Sequence, residues 1–142
     1  MRDYKKIGAW QKADDLVVGV YELTKNFPRE EIYGLTSQLR RAAYSVPANI
    51  AEGSGRQTKK DYLHFLYIAR GSLNETDYFL HLSLRLGLID ESQHRRIDKQ
   101  VRRTFAALHG LIAAVEKETS KLGKAIARTT SRVTLLLSGL VA

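Results

Sequence analysis

The sequence predicts an all-α protein, an antiparallel up-down-up-down four-helix bundle, and three observations support this fold class. Apolar residues recur at three- and four-residue steps in four long segments. Short connections join these segments, which is typical of helices that pack antiparallel to their sequence neighbours. The composition, with 44% hydrophobic residues and 2 prolines, suits helices better than sheets.

The chain of 142 residues is long enough for one domain with a single core. We expect the bundle to occupy residues 1–122. The last stretch, residues 123–142, is rich in small residues and threonines and carries Lys124, Arg128 and Arg132. It is interpreted as an extension of the fourth helix, a flexible basic tail or a docking peptide, and the sequence leaves this choice open.

The first helix is predicted from about Ala9 to Asn26. It ends at Phe27, because Pro28 disfavours helical geometry in the residue before it. Its apolar face is formed by Trp10, Ala13, Leu16, Val17, Val20 and Leu23.

The second helix is predicted from about Tyr33 to Glu52. The step from Val46 to Ile50 stays in phase across Pro47, so we predict one helix with a kink at Pro47. The alternative is a new helix that starts with Pro47 at its first position. The apolar face contains Leu35, Leu39, Ala42, Ala43, Val46 and Ile50.

Gly53 and Gly55 are predicted to stop the second helix. Thr58 is the predicted N-cap of the third helix, which runs from about Lys59 to Leu86. Its apolar face contains Tyr62, Phe65, Leu66, Ala69, Leu73, Thr76 and Leu80.

Gly87 is predicted to close the third helix, and Asp90 to cap the fourth. The fourth helix has its apolar face at Ile97, Val101, Phe105, Leu108, Ile112, Val115 and Leu122.

The net charge of +8 is concentrated at the C-terminal end, where residues 95–142 hold 10 of the 23 Lys and Arg residues and 3 of the 15 Asp and Glu residues. Such an asymmetry favours a polyanionic partner. Nucleic acid is a better candidate than a membrane, because no aromatic amphipathic anchor accompanies the charge and no apolar run is long enough to span a bilayer.

The chain has 0 cysteines, which excludes disulfides, thiolate metal sites and thiol catalysis and is consistent with a reducing cytoplasm. The charged start MRDYKKIGAW does not have the pattern of a secretory signal. A cytoplasmic location is therefore expected.

The histidines, His64, His81, His94 and His109, are scattered, and the sequence does not supply the two Glu-x-x-His pairs of a ferritin-like di-metal site. Nucleotide-binding loops, zinc-protease motifs and nucleophile elbows are also missing from the sequence. We expect no enzymatic activity, no metal and no cofactor.

The fourth helix carries a candidate nucleic-acid surface, in which five cations face one acidic residue, Asp98. This surface consists of Arg95, Lys99 and Arg102 in one row, flanked by Arg96 and Arg103. The alternative interpretation is an ordinary solvated helix face.

A second candidate phosphate contact is the segment GRQTKKD from Gly55, at the start of the third helix. Its cations are Arg56, Lys59 and Lys60.

Polar residues also interrupt the apolar pattern of the second and third helices. If these helices are antiparallel, Arg41 lies level with Arg70, with Glu75 within a turn or two, and Asn49 and Glu52 face the start of the third helix. We predict a buried structural polar network. The alternative is a surface for a partner or ligand.

The third helix has more apolar residues than one bundle face needs. The surplus consists of Leu63, Tyr67, Tyr78, Phe79 and Leu82. Some of these side chains are expected to contact another subunit, so we predict a homo-oligomer.

Three segments together, SVPANIAEG from Ser45, GRQTKKDYLHFLYIARGSLNE from Gly55 and YFLHLSLRLGLI from Tyr78, resemble the 23S rRNA-intervening sequence protein family of four-helix bundles. The family includes the accessory variability determinant of diversity-generating retroelements. The resemblance spans about Tyr4 to Leu122.

The resemblance implies a cytoplasmic bundle without enzymatic activity that assembles into a ring, commonly a pentamer, with a basic surface suited to nucleic acid. For the retroelement members it also implies partnership with a reverse transcriptase. A protein-interaction scaffold without a nucleic-acid role is the alternative function.

Overall fold

The computed structural model describes residues 2–139, and across them the chain forms four α-helices: α1 (Gly8–Thr24), α2 (Leu35–Ser54), α3 (Lys59–Arg85) and α4 (Glu91–Gly139). Short 3-10 helices at Tyr4–Lys6 and Arg29–Glu31 precede α1 and α2. Each helix packs against its sequence neighbours and α1 also packs against α4, which places α2 diagonally opposite α4. The predicted all-α four-helix bundle is confirmed.

The core lies between the four predicted apolar faces. Leu16, Leu39, Leu73 and Leu108, one from each helix, are fully buried there. Trp10 is only partly buried and lies edge-on to Tyr4, with 5.1 Å between ring centroids. Burial of the branched side chains is the main favourable contribution to the stability of the bundle.

Helix α2 continues through Pro47, which is buried inside it. The prediction of a single helix is confirmed, and the alternative of a new helix beginning at Pro47 is wrong. Pro47 has no N–H to donate to the carbonyl of Ala43. Two residues later, the Asn49 side-chain amide donates to the Ser45 carbonyl at 2.8 Å.

Gly53 lies inside α2, which ends at Ser54, so the prediction that Gly53 stops this helix is wrong. A Cβ at Gly53 would lie 2.8 Å from Phe65 Cβ and 2.9 Å from Tyr62 Cδ2. The glycine is needed because α2 and α3 approach each other closely there. Gly55 follows as the C-cap residue.

The predicted ends of α3 and the start of α4 are confirmed. Thr58 Oγ1 accepts a hydrogen bond from the Asp61 amide at 3.0 Å. Gly87 has a φ of +71°, and the Leu88 amide donates to the Ser83 carbonyl at 2.9 Å, as in a Schellman motif. Asp90 Oδ1 accepts from the amide of Gln93 at 2.8 Å, and Gln93 Oε1 accepts from the amide of Asp90 at 2.9 Å.

Helix α4 is 49 residues long, far longer than the other three helices. Its last buried residue is Val115, and every residue from 120 to 139 is exposed. The structure therefore continues α4 beyond the bundle as a free helical arm. Residues 140–142, which the sequence analysis grouped with the same terminal stretch, lie outside the described residues.

Among residues 2–139, no helix has both the length and the apolar character needed to cross a bilayer.

Candidate nucleic-acid interface

The outer face of α4 carries three free cations. Arg96, Lys99 and Arg103 are exposed, and among residues 2–139 no carboxylate lies within 4 Å of their charged groups. Ile97 and Val101 on the same turns are buried, so these cations project away from the core. They form an open row that is suited to contact with phosphates.

Arg102 differs from these three, because it is already bound to two carboxylates. Its Nη2 donates to Asp77 Oδ1 of α3 at 2.6 Å, and its Nε donates to Asp98 Oδ1 at 3.1 Å. The hydrogen bond to Asp77 raises the pKa of Arg102 above its ordinary value, and the hydrogen bond to Asp98 raises it further by a smaller amount. The guanidinium also lies 5.4 Å from the Phe105 ring centroid.

The prediction of five cations facing one Asp98 is therefore wrong. Asp77 comes from a different helix and neutralises Arg102. Glu91 lies one turn before Arg95, at 3.7 Å from its guanidinium. Both acids, Asp77 and Glu91, lie outside the stretch from Arg95 to Arg103 on which the prediction was based.

The cations of the α2–α3 turn are mostly engaged within the chain. Arg56 pairs with Glu52 and lies over the Phe65 ring, 4.5 Å from its centroid. Lys59 is half-buried and pairs with Glu118 of α4, which lowers the pKa of that carboxyl.

Lys60 is the exception in this turn. It is exposed, and in the described part of the chain no ion pair involves it. Of the three candidate phosphate ligands in this turn, Lys60 is the one that the fold leaves available.

The free arm of α4 continues the basic character. On the helical repeat, Lys117 and the four cations of the arm lie on the same outer side as Lys99 and Arg103. Small residues, Ala106 and Gly110 among them, separate the two groups. The five are Lys117, Lys121, Lys124, Arg128 and Arg132, all exposed.

The prediction that the polar network of α2 and α3 is buried is wrong. Arg41, Arg70 and Glu75 are exposed, and within residues 2–139 no ion pair joins them. Arg70 instead lies 5.0 Å from the centroid of the Tyr67 ring. The long side chains reach solvent because they lie at the edges of the α2–α3 contact and not inside it.

A shallow groove of about 230 Å³ between α2 and α3 does bring Arg41, Asn49 and Glu75 together. Gln38, Ser45 and Ser72 complete its polar wall. Glu52, bound to Arg56, and Arg70 lie outside this lining.

A larger groove of about 620 Å³, which was not predicted from the sequence, lies between the end of α1 and the start of α2. Arg40 Nε donates to Thr24 Oγ1 at 2.8 Å, and its guanidinium lies 4.5 Å from the Tyr21 ring centroid. Thr36 Oγ1 is buried without a hydrogen-bond partner in the described structure. The lining has no carboxylate and includes Lys25, Arg29, Arg40, Arg41, Tyr21, Phe27 and Tyr44.

One sequence signal points to this groove, the Arg40–Arg41 pair with Tyr44 one turn later. The sequence pattern does not reveal that Tyr21 and Lys25 of α1 lie alongside, because that depends on how α1 and α2 pack. The groove and the outer face of α4 belong to different sides of the bundle, since α2 and α4 are diagonal.

Residues 2–139 include no group of three or more His, Cys, Asp or Glu side chains arranged to hold a metal ion.

The 23S rRNA-intervening sequence protein family model matches residues 5–110, which cover all of α1, α2 and α3 and most of the bundle part of α4. The chain belongs to this family. The match ends before the free arm of α4, so the arm is outside the region that defines the family. No functionally curated protein matched the sequence.

A solved relative supports the same assignment. The crystal structure, at 1.70 Å resolution, of a protein with unknown function from the S23 ribosomal protein family of Bacteroides thetaiotaomicron superposes with a TM-score of 0.66. The two sequences are 26% identical, and the match covers 73% of this chain and 97% of the other. The bundle of this 23S rRNA-intervening sequence family member thus corresponds to nearly the whole of that solved protein.

Proposed function

We propose that this family member is a non-enzymatic nucleic-acid-binding protein that acts as a ring-like homo-oligomer. The observation that carries the proposal is the row of unneutralised cations on the outer face of α4. It begins with Arg96, Lys99 and Arg103 and continues along the free arm.

The row suits a phosphate backbone for an electrostatic reason. Cations without an acidic partner release counterions from nucleic acid when they bind, whereas a cation such as Arg102 must first leave Asp77 and Asp98. Contacts of this kind carry no base specificity. RNA and DNA are therefore both candidate ligands.

Exposed aromatic and aliphatic side chains on α3 support self-association. Tyr78 is 57% exposed, Tyr67 39% and Ile68 40%, and the Tyr67 hydroxyl donates to Glu116 of α4. The other surplus residues differ: Leu63 is buried in the core, and Phe79 and Leu82 are partly buried. The proposed ring, with five subunits by family resemblance, would cover the exposed ones and repeat the cationic row around the assembly.

The second candidate function is a scaffold that recruits a protein, for example a reverse transcriptase, without an intrinsic nucleic-acid role. The α1–α2 groove favours it, because aromatic residues and arginines are enriched at protein interfaces. The two candidates differ in which surface is used.

Nucleic-acid binding as a function of salt tests the proposal. Affinity for RNA or DNA should fall log-linearly with salt, and replacing Arg96, Lys99 and Arg103 by glutamine should reduce the slope by about 2 to 3. The matched control replaces Lys5, Lys6 and Arg41 by glutamine, three exposed cations in the first 3-10 helix and in α2, which lies diagonally opposite α4. An equal loss in the control variant, or the absence of binding at low salt, would leave the scaffold function.

Light scattering tests the assembly separately. A ring gives a multiple of the subunit mass, whereas a species of 16.1 kDa at micromolar concentration contradicts self-association.

A further inference from the structure

The free arm of α4 carries an apolar seam with a strict heptad repeat. Ile112 and Val115 are buried in the bundle, and the same three- and four-residue steps then continue into solvent. The positions, alternately a and d, are Ile112, Val115, Thr119, Leu122, Ile126, Thr129, Val133 and Leu136. A repeat of 3.5 residues sustained over almost four heptads is the pattern of a coiled coil.

In the described structure, the seam has nothing packed against it beyond Thr119. Leu122 is 57% exposed, Ile126 58%, Val133 49% and Leu136 69%. Residues 120–139 of α4 therefore present about 30 Å of helix whose apolar side faces water.

The arm has a composition that does not stabilise a helix on its own. Thr129, Thr130, Val133 and Thr134 are β-branched, and Gly123 precedes them in the arm. Such residues have low helix propensity, and most helical stability in proteins comes from packing of an apolar face. A partner helix would supply that packing.

The residue types at the seam favour a second copy of this chain in parallel orientation. All the a positions, Ile112, Thr119, Ile126 and Val133, are β-branched, while the d positions of the arm are Leu122, Thr129 and Leu136. In a parallel coiled coil, β-branched residues at a with Leu at d favour two strands. The hydroxyls of Thr119 and Thr129 are bonded to the carbonyls of Val115 and Ala125, so they need no partner across the seam.

The charges of the arm agree with self-pairing. Beside the seam, the e and g positions from 123 to 139 are Gly, Ala, Thr, Leu and Gly, with Arg132 the one charged exception. Lys117, Lys121, Lys124 and Arg128 occupy c and f positions, which point away from a partner helix. Two parallel copies thus keep their like charges apart.

We infer that the arm of α4, residues 119–139, pairs in parallel and in register with the arm of a second copy to form a coiled coil. This pairing is independent of the bundle surfaces used in the proposed ring. It leaves the cations of both arms on the outside of the coil.

Engineered cysteines give a direct test, because the chain has no cysteine of its own. In a parallel, in-register coil the two copies of Leu122 face each other, close enough for a disulfide, whereas the two copies of Lys124 point apart. Full-length Leu122→Cys, treated with nuclease and then oxidised with diamide, should lose its monomer band to a cross-linked dimer on a non-reducing gel. Lys124→Cys, half a turn away, should keep its monomer band.

Equal cross-linking of both variants, or a Leu122→Cys protein that stays monomeric on the gel, would overturn the inference. A second measurement applies if the cysteine variants fold poorly. Hydrogen exchange of amides 122–136 in the wild-type protein should become slower as the protein concentration rises. This slowing should be smaller in Ile126→Gln, which changes the seam, than in Leu135→Gln, which does not. Higher salt should strengthen the pairing by screening the cations, the opposite of its effect on nucleic-acid binding. Light scattering on the cysteine variants separates the two assemblies, because the coil alone gives two subunits whereas the proposed ring gives five. A failure of the coil can therefore be told from a failure of the ring.

Discussion

Arg102 Nη2 donates a hydrogen bond to Asp77 Oδ1 at 2.6 Å, and this bond joins α4 to α3 at the edge of the bundle. The next residue, Arg103, is exposed, and no carboxylate of the described chain lies within 4 Å of its guanidinium. Two adjacent arginines therefore have different expected roles, one in holding helices together and one in contacting a ligand.

Replacing each arginine by glutamine should separate these roles. Arg102→Gln should lower the free energy of unfolding by about 0.5–1 kcal/mol, because a partly exposed ion pair is lost and two carboxylates remain unpaired. Arg103→Gln should leave stability unchanged and weaken nucleic-acid binding. Chemical denaturation and binding titrations at fixed salt measure the two effects, and equal loss of stability in both variants would contradict the assignment.

Gly53→Ala should destabilise the bundle by about 1–2 kcal/mol. The added methyl group would overlap Phe65 Cβ and approach the Tyr62 carbonyl, and this overpacking exceeds the gain in helix propensity. Gly71→Ala is the matched control, because a Cβ there has nothing within 4 Å. We expect it to stabilise α3 by about 0.5–1 kcal/mol in thermal unfolding. Stabilisation by both substitutions would show that α2 and α3 do not approach as described.

Two buried threonines that line the α1–α2 groove should respond in opposite directions to replacement by valine. Thr36 Oγ1 has no hydrogen-bond partner in the described structure, so Thr36→Val should stabilise by about 1 kcal/mol. Thr24 Oγ1 accepts from Arg40 Nε and donates to the Val20 carbonyl, so Thr24→Val should destabilise by about 1–3 kcal/mol. Loss of stability in Thr36→Val would mean that its hydroxyl is satisfied in solution.

Glu75→Ala should change the free energy of unfolding by less than about 0.5 kcal/mol, because Glu75 is exposed and makes no ion pair within residues 2–139. Thermal unfolding measures this at low protein concentration. A large loss that grows with protein concentration would instead place the Arg41–Glu75 groove in a contact between subunits.

The ion pair between Lys59 and Glu118 predicts a pH dependence. The hydrogen bond from Lys59 lowers the pKa of Glu118, so its stabilising effect is complete above the ordinary carboxylate pKa and is lost as the pH falls through the lowered value. Wild type should be slightly more stable than Glu118→Gln at neutral pH, and the difference should vanish in strong acid. Urea unfolding at several pH values measures it, and a difference that persists in acid would exclude the ion pair as its cause.

The helical elements could be predicted because their causes are local. The three- and four-residue steps of the apolar residues, the caps at Thr58 and Asp90 and the glycine at Gly87 each act within one or two turns. Helix starts and stops came within about two residues of the observed ones, except for the end of α4.

The candidate site was less predictable, because neutralisation of charge depends on residues far apart in the chain. Asp77 and Arg102 are separated by 25 residues, and Lys59 and Glu118 meet only because the start of α3 lies beside α4. The free cations of the site are those that this packing leaves without an acid.

The fold class, the order of the helices and the heptad steps from Ile112 to Leu136 can be recognised in the sequence, since periodicity is a property of one helix at a time. Which apolar and charged residues remain unpartnered depends on the tertiary structure. In that structure, Gly53 lies where α2 and α3 approach closely, Arg102 donates to Asp77, and the seam of α4 is exposed to solvent. The physical reason is that a side chain's free energy depends on what covers it, and that is set by the packing of helices distant in sequence.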